Sequence, residues 1–240
     1  MPEPKLEAPL AAEAPRWSAL ASGKAALRRF WRPFLLIQGA ALALAIAYRT
    51  SEGFRAACAL AAAWKQAGGV WFSMGSVALA GGLLPELARL VADRSRTQWR
   101  GRGGAIVFNL LFFALDGLVI DWLYRAEARL FGAQASLGTV MAKTAFDQFV
   151  FTPLWSVVVV LVYLWPQRGY RVGATVAALA QPFLRRRVLA ILIPNWAFWI
   201  PMVSIIYALP VPLQFLMFIP ALGAWSLIMV SIATERDGLA

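Results

Sequence analysis

Ionisable side chains are scarce in the apolar stretches of this chain, so each one found there is a candidate for chemistry. Asp116 is the clearest. It lies about eleven residues into the stretch 105–124, which at about 1.5 Å per residue places it about 17 Å along a helix, near the middle of a bilayer. A carboxyl at that depth is costly unless it is neutralised, hydrogen-bonded or wetted. Asn109, Asn195 and Gln214 are the polar side chains available to it, and the four form a candidate pore lining or polar core. Two readings stay open, a hydrogen-bonded structural acid and an acid lining a pore or cavity. Asp121 is offset from Asp116 by about 140° on a helix and reads as a solvated interface residue. Lys143 and Asp147 stand four apart, the spacing of a helical salt bridge, and together with Gln148 they read as an interface anchor. Asn195, between Pro194 and Trp196, reads as an amide bonding across helices.

Other chemistries are closed off by what is missing. The chain has no histidine, which removes Ser-His-Asp hydrolysis and His-ligated zinc or haem. Cys58 is the single cysteine, with no partner for a disulfide or a CxxC motif. Ser73, Ser76 and Ser204 lack a base to activate them. The expectation is a protein that is not an enzyme and carries no cofactor and no metal.

The elements that must position these residues are helices in a membrane. Of the 240 residues, 60% are hydrophobic and 15% charged, against about 25% charged in soluble domains, and the mean hydropathy is +0.64. Apolar stretches at 33–48, 69–90, 105–124, 144–165, 188–209 and 211–233 predict an all-α polytopic bundle of about six spans. Residues 1–16 read as a disordered tail, 17–32 as a basic amphipathic helix at a membrane surface, 33–233 as the bundle and 234–240 as a short tail. Gly75, Gly81 and Gly82 predict close helix packing in the second span. Five prolines, from Pro194 to Pro220, kink or break the last two spans, and a hairpin at 210–212 or one long bent helix would each satisfy the pattern.

The net charge of +11 gathers in clusters at 24–32, 89–102 and 168–187 rather than on one face. This patterning predicts positive cytoplasmic loops, both termini inside and no nucleic-acid partner. Segments 49–68 and 125–143 then lie outside. Arg185, Arg186 and Arg187 are candidates for contact with anionic lipid head groups. The remaining partner expectations are the bilayer itself and self-association.

The segment KTAFDQFVFTP at 143–153 resembles the signature of the 22-kDa peroxisomal membrane protein family: a lysine, then Asp-Gln, then a proline about six residues after the Asp. Trp122 to Tyr124 resembles the family's Trp-Tyr pair, and NWAFWIPMVSIIYALP from Asn195 resembles a later conserved segment. The likeness covers about 69–233 and carries over to Lys143, Asp147, Gln148, Pro153, Trp199 and Tyr207. It departs where Gly81-Gly82 replaces a Gly-Asp pair and Asp116-Gly117 replaces a Gly-Pro pair. The resemblance implies a four-helix core with an added amino-terminal span, in a divergent bacterial member of the inner membrane. It also implies a weakly selective channel-like protein for small solutes or ions, the alternative being a scaffold or stress-related assembly factor that transports nothing.

Overall fold

The computed structural model describes residues 19–92, 102–167, 169–178 and 182–237. Among them every regular element is helical. In chain order these are α1 (Ala19–Thr50), α2 (Glu52–Val77), the π segment π1 (Ala78–Leu83), α3 (Leu84–Ala92), α4 (Gly103–Phe131), α5 (Leu137–Phe146), the π segment π2 (Asp147–Phe151), α6 (Thr152–Gln167), α7 (Val172–Ala178), α8 (Pro182–Tyr207) and α9 (Val211–Asp237). The tail 1–16 and the side chains of Arg185, Arg186 and Arg187 fall outside the described residues.

Five helical runs are long and apolar enough to cross a membrane: Phe30–Thr50, Glu52–Val91, Gly103–Phe131, Leu137–Pro166 and Val211–Ser231. The stretch expected at 188–209 falls on α8, whose described apolar part, Leu192–Tyr207, is shorter. The exteriors suit lipid. Leu36, Trp71, Leu115 and Leu154 are all more than half exposed, whereas a water-facing bundle would present polar groups there.

Several boundaries differ from the sequence expectation. The surface helix and first span are one helix, because Pro33 sits inside α1 without ending it. Segment 49–68 is not a loop. Ser51 caps α2, its hydroxyl accepting from the Phe54 backbone N–H at 3.2 Å. Likewise α4 runs to Phe131 and α5 starts at Leu137, so most of 125–143 is helical. The stretches expected at 188–209 and 211–233 are separate helices, joined by a turn in which the Leu213 N–H donates to the Pro210 carbonyl at 2.8 Å. At the carboxyl end α9 continues through Asp237, taking in part of the expected tail.

Helices α2, π1 and α4 pack closely, α1 lies on α8, and α3 and α8 both contact α9. Small residues set the spacing of the first group. A Cβ at Gly117 would run into the Ser73 carbonyl, and one at Gly82 would sit 3.2 Å from Asn109 O and Leu110 Cα. Gly75 is exposed with nothing within 4 Å of such a Cβ, so it takes no part in the close packing expected of it. Gly69 bends α2 with φ 51 and ψ −131, a left-handed backbone that glycine adopts without strain. The bend divides a 40-residue helical run that would otherwise be about 60 Å long, twice the hydrocarbon thickness. Bulky side chains fill the centre, among them Phe198, Met202, Ile206, Tyr207 and Phe215.

Gly117→Ala should therefore lower stability by about 1–3 kcal/mol through overpacking, while Gly75→Ala should leave it within about 0.5 kcal/mol. Thermal denaturation of the two variants in detergent, compared with the parent, measures the difference.

Candidate functional site: a cleft flanked by two π segments

The site grows from two prolines. In an α-helix a proline ring clashes with the carbonyl four residues back and leaves a carbonyl without its donor. Pro85 and Pro153 each stand two residues after a π segment, and the residue four back, Gly81 or Phe149, lies inside that segment. Widening the helix to π geometry moves that carbonyl outward. In π2 the bonding shifts by one, so that the Thr152 N–H donates to Asp147 O. The next carbonyl, of Gln148, would need the N–H that Pro153 lacks. The Trp196 indole of α8 donates to it instead, at 2.8 Å. Pro153 thus couples the helix formed by α5, π2 and α6 to α8.

Between the two π segments lies a cavity of about 380 Å³. Gly81 and Pro85 line one side, and Asp147, Gln148, Phe151 and Trp155 another. Trp199 of α8 and Phe218 and Trp225 of α9 close the back. One face of α4 runs along it through Asn109, Phe112, Phe113, Asp116, Ile120, Leu123 and Tyr124. That spacing is the 3.6-residue repeat of a single helical stripe. From Asn109 to Tyr124 the stripe is about 22 Å long, most of a bilayer's hydrocarbon core of about 30 Å.

Polar groups occur at three levels along this stripe. At the first, Glu86 is buried and ion-paired. Arg89 donates to its Oε1, Asn109 Nδ2 donates to the same oxygen at 3.0 Å, and Arg102 lies 3.3 Å from Oε2. The Tyr163 hydroxyl donates to Asn109 Oδ1 at 2.8 Å and ties α6 into this network. At the second level Asp116 stands among aromatic rings, 6% exposed, with its Oδ1 unpartnered and Trp155 as a hydrogen-bonding neighbour of its carboxyl. At the third, Asp147 accepts from the Tyr207 hydroxyl at 3.0 Å and from Thr152 at 3.3 Å. Beside it lie Lys143, 1% exposed, and Glu127, fully buried, with the Tyr207 hydroxyl as a neighbour of its carboxyl. Lys143 is the cation facing Glu127, and its ammonium also stands 5.7 Å from the centre of the Tyr207 ring.

Several sequence assignments change here. Asn109, Asp116 and Asn195 all line the cavity. Gln214 does not reach it: the side chain is buried elsewhere, donating to Leu209 O at 2.9 Å across the α8–α9 turn. Neither does Asn109 bond Asp116, because Glu86 and Tyr163 hold it. Lys143 and Asp147 form no direct salt bridge among the described residues, and both are buried rather than at an interface. The α5 helix gives way to π geometry at Asp147, so the four-residue spacing no longer guarantees a pair. Asp121 is 4% exposed instead of solvated, clamped between Lys65 Nζ at 2.5 Å and Arg125 at 2.6 Å. The motif positions Lys143, Asp147, Gln148, Trp199 and Tyr207 converge on the cavity or its third level, and Pro153 supplies the π turn that positions them.

Glu127, Glu86 and Lys65 carry no mark in the sequence reading. Glu127 had a usable signal, since 116, 120, 124 and 127 follow helical spacing, but assigning 125–143 to a loop hid it. Lys65 was hidden in the same way by the loop assigned to 49–68.

Removing the buried cation alone should be costly, because Glu127 would then lack its compensating charge. Lys143→Met is expected to destabilise by about 3 kcal/mol, and adding Glu127→Gln in the same chain should recover more than half of that loss. A double-mutant cycle by thermal or denaturant unfolding reads it. No family model, curated protein or solved structure matches this chain, so the chemistry of the cleft alone carries its reading.

Proposed function

We propose that the chain is a channel-like membrane protein that passes small polar solutes along the α4 face of the cleft. The observation that carries this reading is the stripe from Asn109 through Asp116 to Tyr124, which puts polar groups at three depths on the wall of one cavity. A bundle needing only stability would fill such a space with apolar side chains, since burying polar groups without partners is unfavourable. Glycine at 81 keeps the wall opposite Phe113 free of a side chain. The proposal includes six crossings, with α8 as the sixth, and both termini on the cytoplasmic side of a bacterial inner membrane. Basic residues at 89–102 and 168–187 support that orientation, and Arg185, Arg186 and Arg187 would meet anionic head groups there. The resemblance to the 22-kDa peroxisomal membrane protein family is part of the same proposal, as are the absence of catalysis and assembly as a homo-oligomer.

A second reading has its own support. The Lys65–Asp121–Arg125 network joins α2 to α4 away from the cavity lining, as a non-transporting scaffold would require.

Stopped-flow swelling of proteoliposomes with urea and glycerol separates the two. The channel-like reading predicts permeability above protein-free vesicles and a change of about threefold or more in Asp116→Asn, for a polar contact contributing about 0.7 kcal/mol or more to passage. Permeability equal to that of protein-free vesicles, with Asp116→Asn as stable as the parent or more so, would favour the scaffold.

A further inference from the structure

The middle level of the cleft has a chemistry that the passage of neutral solutes does not need. Asp116 is 6% exposed, its Oδ1 has no hydrogen-bond partner, and it faces a cavity walled by Phe112, Phe113, Trp155, Trp199 and Trp225. A second acceptor lining the same cavity, Oε1 of Gln148, is also unpartnered, on a side chain only 2% exposed. Buried acceptors are rarely left without donors, and one that is charged is the costliest to leave so. The missing complement is therefore a group rich in N–H donors.

An anion is a poor fit. Arg89 is the cationic side chain lining the cavity, and Glu86 already engages it. A cation fits twice over: the carboxyl supplies charge, and the ring faces attract positive charge through their quadrupoles, more strongly where water is excluded. Unpartnered acceptors further require hydrogens on the nitrogen, which separates a protonated amine from a quaternary ammonium. One unpartnered donor, Nδ2 of Asn195, leaves room for a single acceptor elsewhere on the ligand. The cavity's volume of about 380 Å³ lies within the range of small-molecule pockets, about 300–1,000 Å³.

We infer that the cleft between the two π segments is a binding site for a small protonated amine, held by Asp116 and Gln148 within the aromatic walls. This deepens the solute-pathway reading and rests on it for the amine being a permeant. Binding itself is measured separately.

Three cavity tryptophans provide the readout. The full-length protein in lipid nanodiscs would be titrated with phenethylamine at pH 7 while its tryptophan fluorescence is followed. 2-Phenylethanol and trimethylphenethylammonium serve as comparators of similar shape. The expected result is saturable binding of the amine, with the alcohol and the quaternary compound weaker by about tenfold or more, as loss of a charge-assisted hydrogen bond implies. Asp116→Asn should weaken amine binding to a similar extent, and Gln148→Leu should weaken it less. Equal binding of amine and alcohol by the parent protein would overturn the inference, and this comparison needs no variant to fold. Amine affinity unchanged in a folded Asp116→Asn would also overturn it. Glycerol flux without amine selectivity in binding would leave the pathway reading standing and sink this one. Selective amine binding without flux of any solute would support the site and sink the pathway.

Discussion

Backbone hydrogen bonding in an apolar medium is the constraint from which this structure follows. With no water to satisfy a stray carbonyl, every proline inside a helix must be answered by another part of the chain. Pro153 is answered by a π turn and by the Trp196 indole on the Gln148 carbonyl. Pro85 follows π1 in the same register. These two local widenings lie on the walls of the cleft, so the cavity is tied to how the helices accommodate proline. Where α1 meets α8, Gln38 Nε2 donates to the Phe198 carbonyl at 2.6 Å, a further side-chain bond to helix backbone between helices far apart in sequence.

The buried ionisable groups divide by how completely they are answered. Glu86 and Asp121 each have cations within bonding distance, Glu86 tying α3 to the start of α4 and Asp121 tying α4 back to α2. Such groups hold the bundle in register. Asp116 and Glu127 are different, because each retains an oxygen without a donor although both are buried. Glu127 has the neighbouring charge of Lys143 to offset it, whereas Asp116 has the Trp155 indole beside it and otherwise faces aromatic rings and the cavity. Incomplete satisfaction is costly to stability, and here it coincides with the space where a ligand would fit.

Aromatic residues serve both environments of this protein. Trp71 and Trp122 are largely exposed on the bundle exterior, where an amphipathic ring suits the head-group region. Trp199 and Trp225 pack with Phe198 and Phe218 at ring-centre distances of 5.1 to 6.4 Å and form the rigid back of the cleft. Sequence spacing does not distinguish the two sets, since each falls on an apolar helix. Their division depends on which helical face meets a neighbour.

What the sequence determined by itself is the helical class, the run of apolar stretches and the isolation of Asp116, because these follow from composition and local period alone. Asp147, Gln148, Pro153 and Tyr207 were marked as a set only through the resemblance to a family's motif, not by their spacing. The sequence misplaced the ends of helices, since charged residues such as Lys65, Glu127 and Lys143 resemble loop residues until a partner from another helix neutralises them. Only the tertiary structure decided which polar groups meet: that Asn109 turns to Glu86 and not to Asp116, that Gln214 closes a turn, and that Asp121 is clamped from both sides. The physical reason is that burial and pairing are properties of two surfaces in contact, and a single helix, read along its own period, carries only one of them.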